Sequence, residues 1–253
     1  RPLPPSQYFA RLSQRLINAV TAQTAEGTLF EVDMRLRPSG AAGPIASSLE
    51  AFVKYHEDEA WTWEHMALSR ARVVFGPDEL RQKVEQIILE TFTRERDADG
   101  LLCDVADMRA RMDTEHHSDF VWEVKHRRGG LVDIDFIAQY LQLRHAPDCP
   151  QILSPNTRNA LRAIRDNGYL DAAIADELVE GIDLWQAVQS VLRLTIEGDL
   201  DAEREDEVTQ GLQKTLAQVS STTDVEALKE KMRSTAARCH QHFRDIIEIP
   251  AES

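Results

Sequence analysis

Residues 174–192 read IADELVEGIDLWQAVQSVL and carry the longest apolar stripe in the chain. The members of this stripe recur every three or four positions, and they are Ile174, Leu178, Ile182, Trp185, Val188 and Leu192. That spacing places the apolar side chains in one row along a single face of an α-helix. The stripe therefore predicts a long helix that packs into a core, and it makes mostly α the expected fold class.

Similar stripes precede and follow this helix. They lie near residues 80–88, 105–112, 134–141 and 225–246, with short turns between them. Long helices joined by short loops are typical of an antiparallel bundle. Because Gly76-Pro77-Asp78 combines a turn with a helix start, we expect a helical bundle domain over residues 77–253.

The segment 1–76 has a different pattern. An amphipathic helix is expected from Gln7 to Ala22, and a second helical stretch from Ser48 to about Val74, with Leu49, Phe52, Trp61, Met66 and Leu68 as its candidate core. Between them, residues 30–36 read FEVDMRL and alternate strictly between apolar and charged side chains. Period-2 alternation predicts a strand with one polar face. The segment 1–76 is therefore expected to be α+β.

Composition restricts the classes of function. The 253 residues contain 29 Lys plus Arg and 43 Asp plus Glu, giving a net charge of −14, which argues against nucleic acid as the main partner. No apolar run approaches the roughly 18 residues of a membrane span. The three scattered cysteines form neither a disulfide framework nor a zinc motif. We expect a cytoplasmic protein.

The polar face of the expected strand holds the clearest candidate chemistry. Asp33, Arg35 and Arg37 would project to the same side, about 7 Å apart at successive positions. A carboxylate can bind a hard cation through oxygen, and guanidinium groups can bind phosphate oxygens. A solvated strand face with cross-strand ion pairs is the alternative, because charged alternation is common in strands.

Four segments carry a resemblance to a known family. They read EVDMRLRPSG at 31–40, EAWTWEH at 59–65, RARVV at 70–74 and GGLVDIDF at 129–136, the last followed by Gln139. Together they resemble the bacterial glutamine synthetase adenylyltransferase (glutamate–ammonia-ligase adenylyltransferase) family. The resemblance covers residues 8 to about 145 and weakens to a shared helical character beyond them.

The resemblance implies a bifunctional enzyme with two homologous halves. In that family each half pairs a polymerase-beta-type nucleotidyltransferase domain with a helical domain. One half attaches AMP to a tyrosine of glutamine synthetase, and the other removes it by phosphorolysis. Because RPSG at 37–40 and WTWEH at 61–65 resemble the C-terminal, adenylylating half, residues 1–76 are interpreted as the C-terminal part of its nucleotidyltransferase domain.

The sequence also departs from the family pattern. Nucleotidyltransferases of this type use three carboxylates, and Asp33 resembles the third, but no Gly-Ser…Asp-x-Asp motif precedes it. The resemblance implies Mg²⁺ at Asp33 and ATP as substrate, with Arg35 and Arg37 on the triphosphate or in ion pairs. Since the two-metal mechanism needs the missing pair, the chain is expected to be a fragment without activity alone.

A second group of candidates surrounds the glycine pair Gly129-Gly130. Asp133 and Asp135 could bind a metal, but acidic residues in the first turn of a helix also interact favourably with its dipole. Their place in a family motif implies a supporting or interdomain role. Lys125 lies in the densest positive run of the chain, 125–128, and it is a candidate nucleotide-binding residue, with a solvated loop as the alternative.

Glu64, Arg70 and Arg72 are the remaining candidates. They are expected on the helix that follows the strand, where they would form ion pairs that brace the strand or lie between domains. Glu64 and Arg70 are not at i, i+4 spacing, so ordinary pairing along a helix does not explain them.

The family implies glutamine synthetase and the P-II signal protein as partners and glutamine as an effector. Two alternatives remain open from the sequence. In one, the helical segment is a regulatory module that docks glutamine synthetase or P-II. In the other, the chain is the deadenylylating half or a related uridylyltransferase.

Overall fold

Helices dominate the chain in the computed structural model, which describes residues 3–28, 32–116, 118–198 and 200–253. The chain divides into two units, one formed by Arg1–Leu68 with Arg72–Thr91 and the other by Ser69–Ala71 with Phe92–Ser253. Mostly α is therefore confirmed as the fold class. Among the described residues no helix combines the length and the apolar content needed to cross a membrane.

The described part of the first unit contains four helices and a small hairpin. Its elements in chain order are α1 (Pro5–Val20), β1 (Gln23–Thr24), β2 (Gly27–Thr28), α2 (Leu49–Asp58), α3 (Thr62–Leu68) and α4 (Asp78–Thr93), whose last two residues belong to the second unit. β1 and β2 pair antiparallel, with Gln23 opposite Thr28. A short 3₁₀ turn, Gly40–Ala42, lies in the loop before α2.

The strand expected over residues 30–36 is the main correction. Residues 32–36 form no strand pairing, while Phe30 and Glu31 lie outside the described residues. A strand is stabilised by a ladder of hydrogen bonds to a neighbour, and here local bonds take that place. The Arg35 backbone N–H donates to the Asp33 carboxylate at 2.9 Å. Alternation predicts an extended segment, but it does not provide a partner strand.

The helix expected from residue 48 to residue 74 is shorter and divided. Ser48 caps α2 by accepting a hydrogen bond from the Ala51 N–H at 3.2 Å, and α3 ends at Leu68. Met66 and Leu68 are buried as expected, whereas Trp61 lies between the helices and is exposed. Because a turn separates α2 from α3, Trp61 does not lie on the buried face of a continuous helix, where the apolar spacing places it.

The second unit is the helical bundle. Its helices are α5 (Ala98–His116), α6 (Leu131–His145), α7 (Thr157–Asp166), α8 (Ala172–Thr195), α9 (Gln210–Val219), α10 (Val225–Phe243) and the short α11 (Ile249–Ala251). Three further turns complete it, Pro150–Ile152, Ala202–Glu207 and Arg244–Glu248, the last of them a π-helical turn.

α8 lies at the centre of this bundle and packs against α6, α7, α9 and α10. The stripe from Leu178 to Leu192 is buried, and Trp185 is fully enclosed. Asp171 caps the helix by accepting hydrogen bonds from Ala173 and Ile174. Since burying each large apolar side chain contributes about 1.5–3 kcal/mol, the stripe is a principal source of stability for this unit.

A glycine permits close packing between α8 and α10. A Cβ at Gly181 would lie 2.9 Å from the Cys239 sulfur and 3.0 Å from the Ile134 Cδ1. Cys239 is fully buried at this contact, and burial raises the pKa of its thiol to about 12. Gly181 thus lets three helices, α6, α8 and α10, approach one another.

Two details of the bundle differ from expectation. Ser154-Pro155 has the pattern of an N-cap and first helical residue, but Asn156 is the cap of α7 and accepts from the Asn159 N–H at 3.1 Å. The Ser154 hydroxyl instead accepts from the Asn156 N–H at 3.3 Å, so it shapes the turn before the helix. The second difference is α9, which the apolar spacing alone does not predict and which begins after the cap Thr209.

Candidate functional site

The residues singled out from the sequence fall in both units. Those in the first unit are Asp33, Arg35, Arg37, Glu64 and Arg72, and those in the second are Arg70, Lys125, Asp133 and Asp135. Each group is described by its own contacts. Within each unit the structure brings some of these residues into direct contact and assigns others to different partners.

Asp33 and Arg35 form an ion pair with each other. The Arg35 Nε donates to the two carboxylate oxygens at 3.0 and 2.9 Å, and its Nη2 donates to Oδ2 at 2.6 Å. Both side chains are largely in solvent, with 56% of Asp33 and 84% of Arg35 exposed. Hydrogen bonds from the Arg35 side chain and backbone lower the pKa of Asp33 to about 2. The pair is therefore fully ionised at neutral pH.

Arg37 does not join this pair. Its guanidinium donates to the carbonyl oxygens of Met34, Ala41 and Gly43, the last at 3.3 Å from Nη2. These bonds close the loop in which Ser39 has a φ of +60°. The structure gives Arg37 the role of holding the turn after the extended segment, because its donors already have acceptors.

Glu64 braces the junction between α2 and α3. One carboxylate oxygen accepts from the Tyr55 hydroxyl at 2.6 Å, and the other accepts from the Trp61 backbone N–H at 2.9 Å. Burial and this carboxylate raise the pKa of Tyr55. The expectation that Glu64, Arg70 and Arg72 share one helix is wrong, because α3 ends before the two arginines. Their bracing or interdomain role stays a prediction.

The glycine pair leads into α6 through a backbone-bonded turn. Gly129 has a φ of +75°, and a Cβ there would lie 1.8 Å from the Ala236 carbonyl oxygen. Leu131 N–H donates to the Val124 oxygen at 2.9 Å and Val132 N–H donates to the Lys125 oxygen at 3.0 Å. The first donors of the helix are therefore satisfied within the loop.

Asp133 holds this turn from inside the core. One of its oxygens accepts from Arg109 Nε, and the other accepts from the Gly129 N–H at 2.5 Å. The exposed fraction is 0% for the Asp133 side chain and 1% for that of Arg109. Burial raises the pKa of Asp133, and the Arg109 charge opposes that rise. Both oxygens accept hydrogen bonds within the protein and the side chain is fully enclosed, which argues against a metal ion at Asp133.

Further contacts fix the same loop. Arg109 Nη2 donates to the His126 oxygen at 2.9 Å, and Trp185 Nε1 donates to the Gly129 oxygen at 3.1 Å. Arg128 pairs with Asp113 at 3.2 Å and with Glu248 at 2.7 Å. The loop is thus bonded to α5, to α8 and to the π-helical turn after α10.

Asp135 lies two residues after Asp133 in α6, but at the edge of the unit. Its oxygens accept from the Thr157 hydroxyl at 2.6 Å and from Arg70 Nη1 at 2.7 Å. Its side chain is 27% exposed, and burial raises its pKa against the charges of Arg70 and Lys125. The structure therefore brings Arg70, Asp135 and the Lys125 charge together. Because these residues are distant in sequence, their spacing does not reveal this polar edge.

Neither aspartate group forms a magnesium site. Among the described residues, no three His, Cys, Asp or Glu side chains stand together in a way that could hold a metal. The oxygens of Asp33 accept from Arg35, and those of Asp133 and Asp135 accept from the residues named above. Mg²⁺ prefers an octahedron of oxygens that includes carboxylates, so the donor set as arranged does not fit this ion.

Arg109 and Trp185 are the important residues whose roles the sequence does not reveal. Arg109 follows Leu102 and Val105 at helical spacing, so a cation occupies a position on the apolar face of α5. A charge in that register requires a buried partner. This signal is present in the sequence, but the identity of the partner, Asp133 on another helix, is not.

Comparisons with known proteins show the relationship of the chain. Residues 1–87 match the family described as glutamate-ammonia ligase adenylyltransferase. Residues 104–247 match the family described as GlnD PII-uridylyltransferase.

Individual relatives match almost the whole chain. It is 44% identical over 247 residues to the bifunctional glutamine synthetase adenylyltransferase/adenylyl-removing enzyme of Rhodopseudomonas palustris, covering 98% of the chain and 25% of that protein. A protein of the same name from Bradyrhizobium sp. is 41% identical over 248 residues, which cover 98% of the chain and 25% of that protein. Another, from Xanthobacter autotrophicus, is 38% identical over 252 residues, which cover 100% of the chain and 25% of that protein. The chain therefore spans about a quarter of the length of the curated relatives it matches.

The relatives are nucleotidyl-group transferases by name, and the helical bundle follows the first matched segment in the chain. The chain belongs to the family described as GlnD PII-uridylyltransferase through residues 104–247, more than half of its length, and residues 1–87 belong to the family described as glutamate-ammonia ligase adenylyltransferase.

Proposed function

We propose that these residues form part of a cytoplasmic enzyme that transfers AMP from ATP to a tyrosine of glutamine synthetase and thereby lowers nitrogen assimilation. The observation that carries the proposal is the 44% identity over 98% of the chain to an enzyme of that name. Residues 1–76 would be the C-terminal part of its polymerase-beta-type nucleotidyltransferase domain, and residues 77–253 its helical domain.

The reaction is a substitution at the α-phosphorus of ATP. The tyrosine oxygen forms a bond to that phosphorus, the bond to the pyrophosphate oxygen breaks, and the tyrosine proton is released. Such reactions depend on positioning and on stabilising the charge of the phosphoryl oxygens. A residue that takes part must therefore present charge to solvent or substrate.

Asp33 and Arg35 satisfy that condition best. Their ion pair is exposed, and exposed pairs contribute little to stability, so Arg35 can exchange Asp33 for a phosphate oxygen at little cost. Arg37 would support the loop beside them through its bonds to Met34 and Gly43. A magnesium role for Asp33 requires carboxylates other than those described, and no step is assigned to the metal.

The central test uses a longer protein. The matching quarter of the Rhodopseudomonas palustris relative is replaced by this chain, and AMP transfer from labelled ATP to glutamine synthetase is measured. Asp33→Asn is expected to reduce transfer by orders of magnitude while the helicity of the chimera is unchanged. Asp58→Asn, an exposed residue at the end of α2, is the matched control, and equal activity of the two variants would contradict the role of Asp33.

We also propose that the chain is inactive alone. The three-carboxylate pattern of the family is incomplete in it, and the described residues supply no substitute cluster. Incubation of the purified chain with labelled ATP and glutamine synthetase is expected to leave the synthetase unlabelled. Transfer by the chain alone would overturn this part of the proposal.

The adenylylating half is proposed over the deadenylylating one. The RPSG and WTWEH segments support this choice, since they resemble the adenylylating half. Asp33→Asn in the same chimera distinguishes the two activities, because it is expected to reduce ATP-dependent labelling of glutamine synthetase and to leave phosphate-dependent release of ADP unchanged. Loss of ADP release with labelling retained is the contrary result.

A second candidate function follows from the match of residues 104–247 to a family named for PII-uridylyltransferase. In this alternative the bundle is a regulatory module that docks glutamine synthetase or the P-II protein, with glutamine as an effector. Calorimetric titration of the chain against each protein, with and without glutamine, tests it. Heat of binding to either partner would support the module, and the absence of heat with both partners, with and without glutamine, would contradict it.

A further inference from the structure

A cavity of 220 Å³ lies in the second unit beside the loop that leads to Gly129. One side is the loop 122–126, and the other is the C-terminal part of α8 with the residues after it. Its chemically relevant lining residues are Trp122, Glu123, Lys125, His126, Gln189 and Arg193. The volume suits a small ion or the end group of a larger molecule.

The first notable group is the indole of Trp122. Its side chain is buried, with 4% of the residue exposed, and its Nε1 donor has no hydrogen-bond acceptor among the described residues. Leaving a buried donor unsatisfied costs about 1–3 kcal/mol. The Lys229 ammonium lies 5.6 Å from the ring centroid, which holds the ring in place. The ring therefore forms a fixed part of the cavity wall, while its Nε1 is enclosed by protein and does not open into the cavity.

Two cations line the same cavity. Lys125 and Arg193 both line the cavity and are exposed, and neither forms an ion pair with any residue that the structure describes. Glu123 is the acidic member of the described lining, and its Oε1 accepts from the backbone N–H groups of Lys125 and His126 at 2.7 and 2.9 Å. This carboxylate therefore shapes the loop that carries Lys125.

His126 contributes a further polar group without a full charge at neutral pH. Burial lowers its pKa, and the Lys125 charge lowers it further. Its ring stacks on that of His116, with centroids 4.6 Å apart. The cavity thus joins two cations, the Glu123 carboxylate, the His126 ring and the amide of Gln189 around one small volume.

We propose that this cavity binds a phosphate group, with Lys125 and Arg193 supplying the charge and the Gln189 amide a hydrogen bond. Two cations match the charge of a phosphate dianion better than the single charge of a carboxylate ligand. Charge-assisted hydrogen bonds to phosphate oxygens are among the strongest polar contacts. Both free phosphate and a phosphomonoester present this group. The proposal concerns binding, so it stands or falls independently of AMP transfer.

The test follows the indole N–H of Trp122 by two-dimensional NMR in the full chain. Inorganic phosphate is expected to shift that resonance saturably, and Arg193→Gln is expected to weaken binding at least tenfold. Lys125→Gln, followed through the same indole resonance, is expected to weaken it similarly because a positive charge is lost. Thermal unfolding confirms that each variant is folded.

Arg162→Gln is the matched control, since Arg162 is an exposed arginine of α7 that does not line the cavity. Retained binding in this variant, with ribose 5-phosphate or inorganic phosphate as ligand, supports the site, and the comparison of the two ligands identifies which source fits. The proposal is overturned if sodium chloride or acetate at equal ionic strength produces the same shift. Equal losses in Arg193→Gln and Arg162→Gln would also overturn it.

Discussion

Each unit contains an aspartate bound by an arginine side chain, and the two pairs differ in almost every other respect. Asp33 and Arg35 are near neighbours in sequence and exposed, while Asp133 and Arg109 lie on different helices and are buried. The first pair contacts nothing beyond its own segment through these bonds. The second also binds the Gly129 N–H and the His126 oxygen.

The difference shows that solvent, and not residue type, sets what such a pair can do. An exposed pair exchanges its partners for water or substrate at little cost, whereas removing one partner of a buried pair leaves an uncompensated charge. The pair in the first unit is therefore suited to contact substrate. The pair in the second unit is suited to hold a loop in one conformation.

The apolar residues repeat this contrast. In the first unit α1 exposes Tyr8, Phe9, Leu12 and Leu16 although their spacing is that of a helix face. In the second unit the stripe of α8 is enclosed by four helices. Equal amphipathic patterns thus produce an exposed face in one unit and a core in the other.

The largest predicted effect comes from Asp133→Asn. Because the buried Arg109 charge would lose its closest counterion and keep, among the described residues, only Asp113, 3.6 Å from its Nη1, the free energy of unfolding of the second unit should fall by about 3 kcal/mol. Hydrogen exchange of the α6 amides measures this unit separately from the rest of the chain. Asp176→Asn, in an exposed pair with Arg165, is the control, and similar losses in both variants would remove the distinction drawn between buried and exposed pairs.

Gly129→Ala is expected to destabilise the same unit by about 3 kcal/mol. The left-handed conformation accounts for about 1–2 kcal/mol, and the remainder comes from displacing the Ala236 carbonyl on α10. Gly168→Ala separates the two causes, because Gly168 also has a positive φ of +81° but nothing lies within 4 Å of an added Cβ. A loss at Gly129 no greater than that at Gly168 would show that the loop does not need its close contact with α10.

Arg70→Gln tests the intermediate case. Its pair with Asp135 is half exposed, and pairs of this kind contribute about 0.2–1 kcal/mol. We therefore expect a loss below about 1 kcal/mol by the same exchange measurement. Asp135 would keep its bond from Thr157, so a loss as large as that of Asp133→Asn would place Asp135 among the structural residues.

Arg35→Gln has the smallest expected effect on the fold and a clear effect on titration. The pKa of Asp33, about 2 with Arg35 in place, should return toward its ordinary value of 3.8. The stabilisation from this lowered pKa is present above 3.8 and is lost as pH falls through about 2. NMR titration of the Asp33 carboxyl measures the change, and an unchanged pKa would show that Arg35 does not hold the carboxylate in solution.

Much of the bundle follows from apolar spacing, because helices form from local contacts and their stripes pack against one another. The buried stripe of α8 is confirmed. The segment at residues 30–36 shows the limit of this reasoning. Alternation describes side chains along one strand, but pairing depends on a second strand whose position no local pattern provides.

The candidate residues show the same division between local and distant information. The glycine pair Gly129-Gly130 predicts a turn before α6, and the sequence places Asp133 and Asp135 just after it. The partners of those aspartates, Arg109 and Arg70, are distant in sequence and become neighbours only through helix packing. The functional roles assigned to Asp33, Arg35 and Lys125 stay predictions.

The contact between Cys239 and Gly181 has a consequence for chemical labelling. Thiolates, and not thiols, react with alkylating reagents, and a pKa of about 12 keeps Cys239 protonated at neutral pH. Cys103 is exposed and Cys149 is partly so, and these two should react first. The slow alkylation of Cys239 then reports how often α8 and α10 separate. Its rate measures the opening of the bundle without any introduced probe.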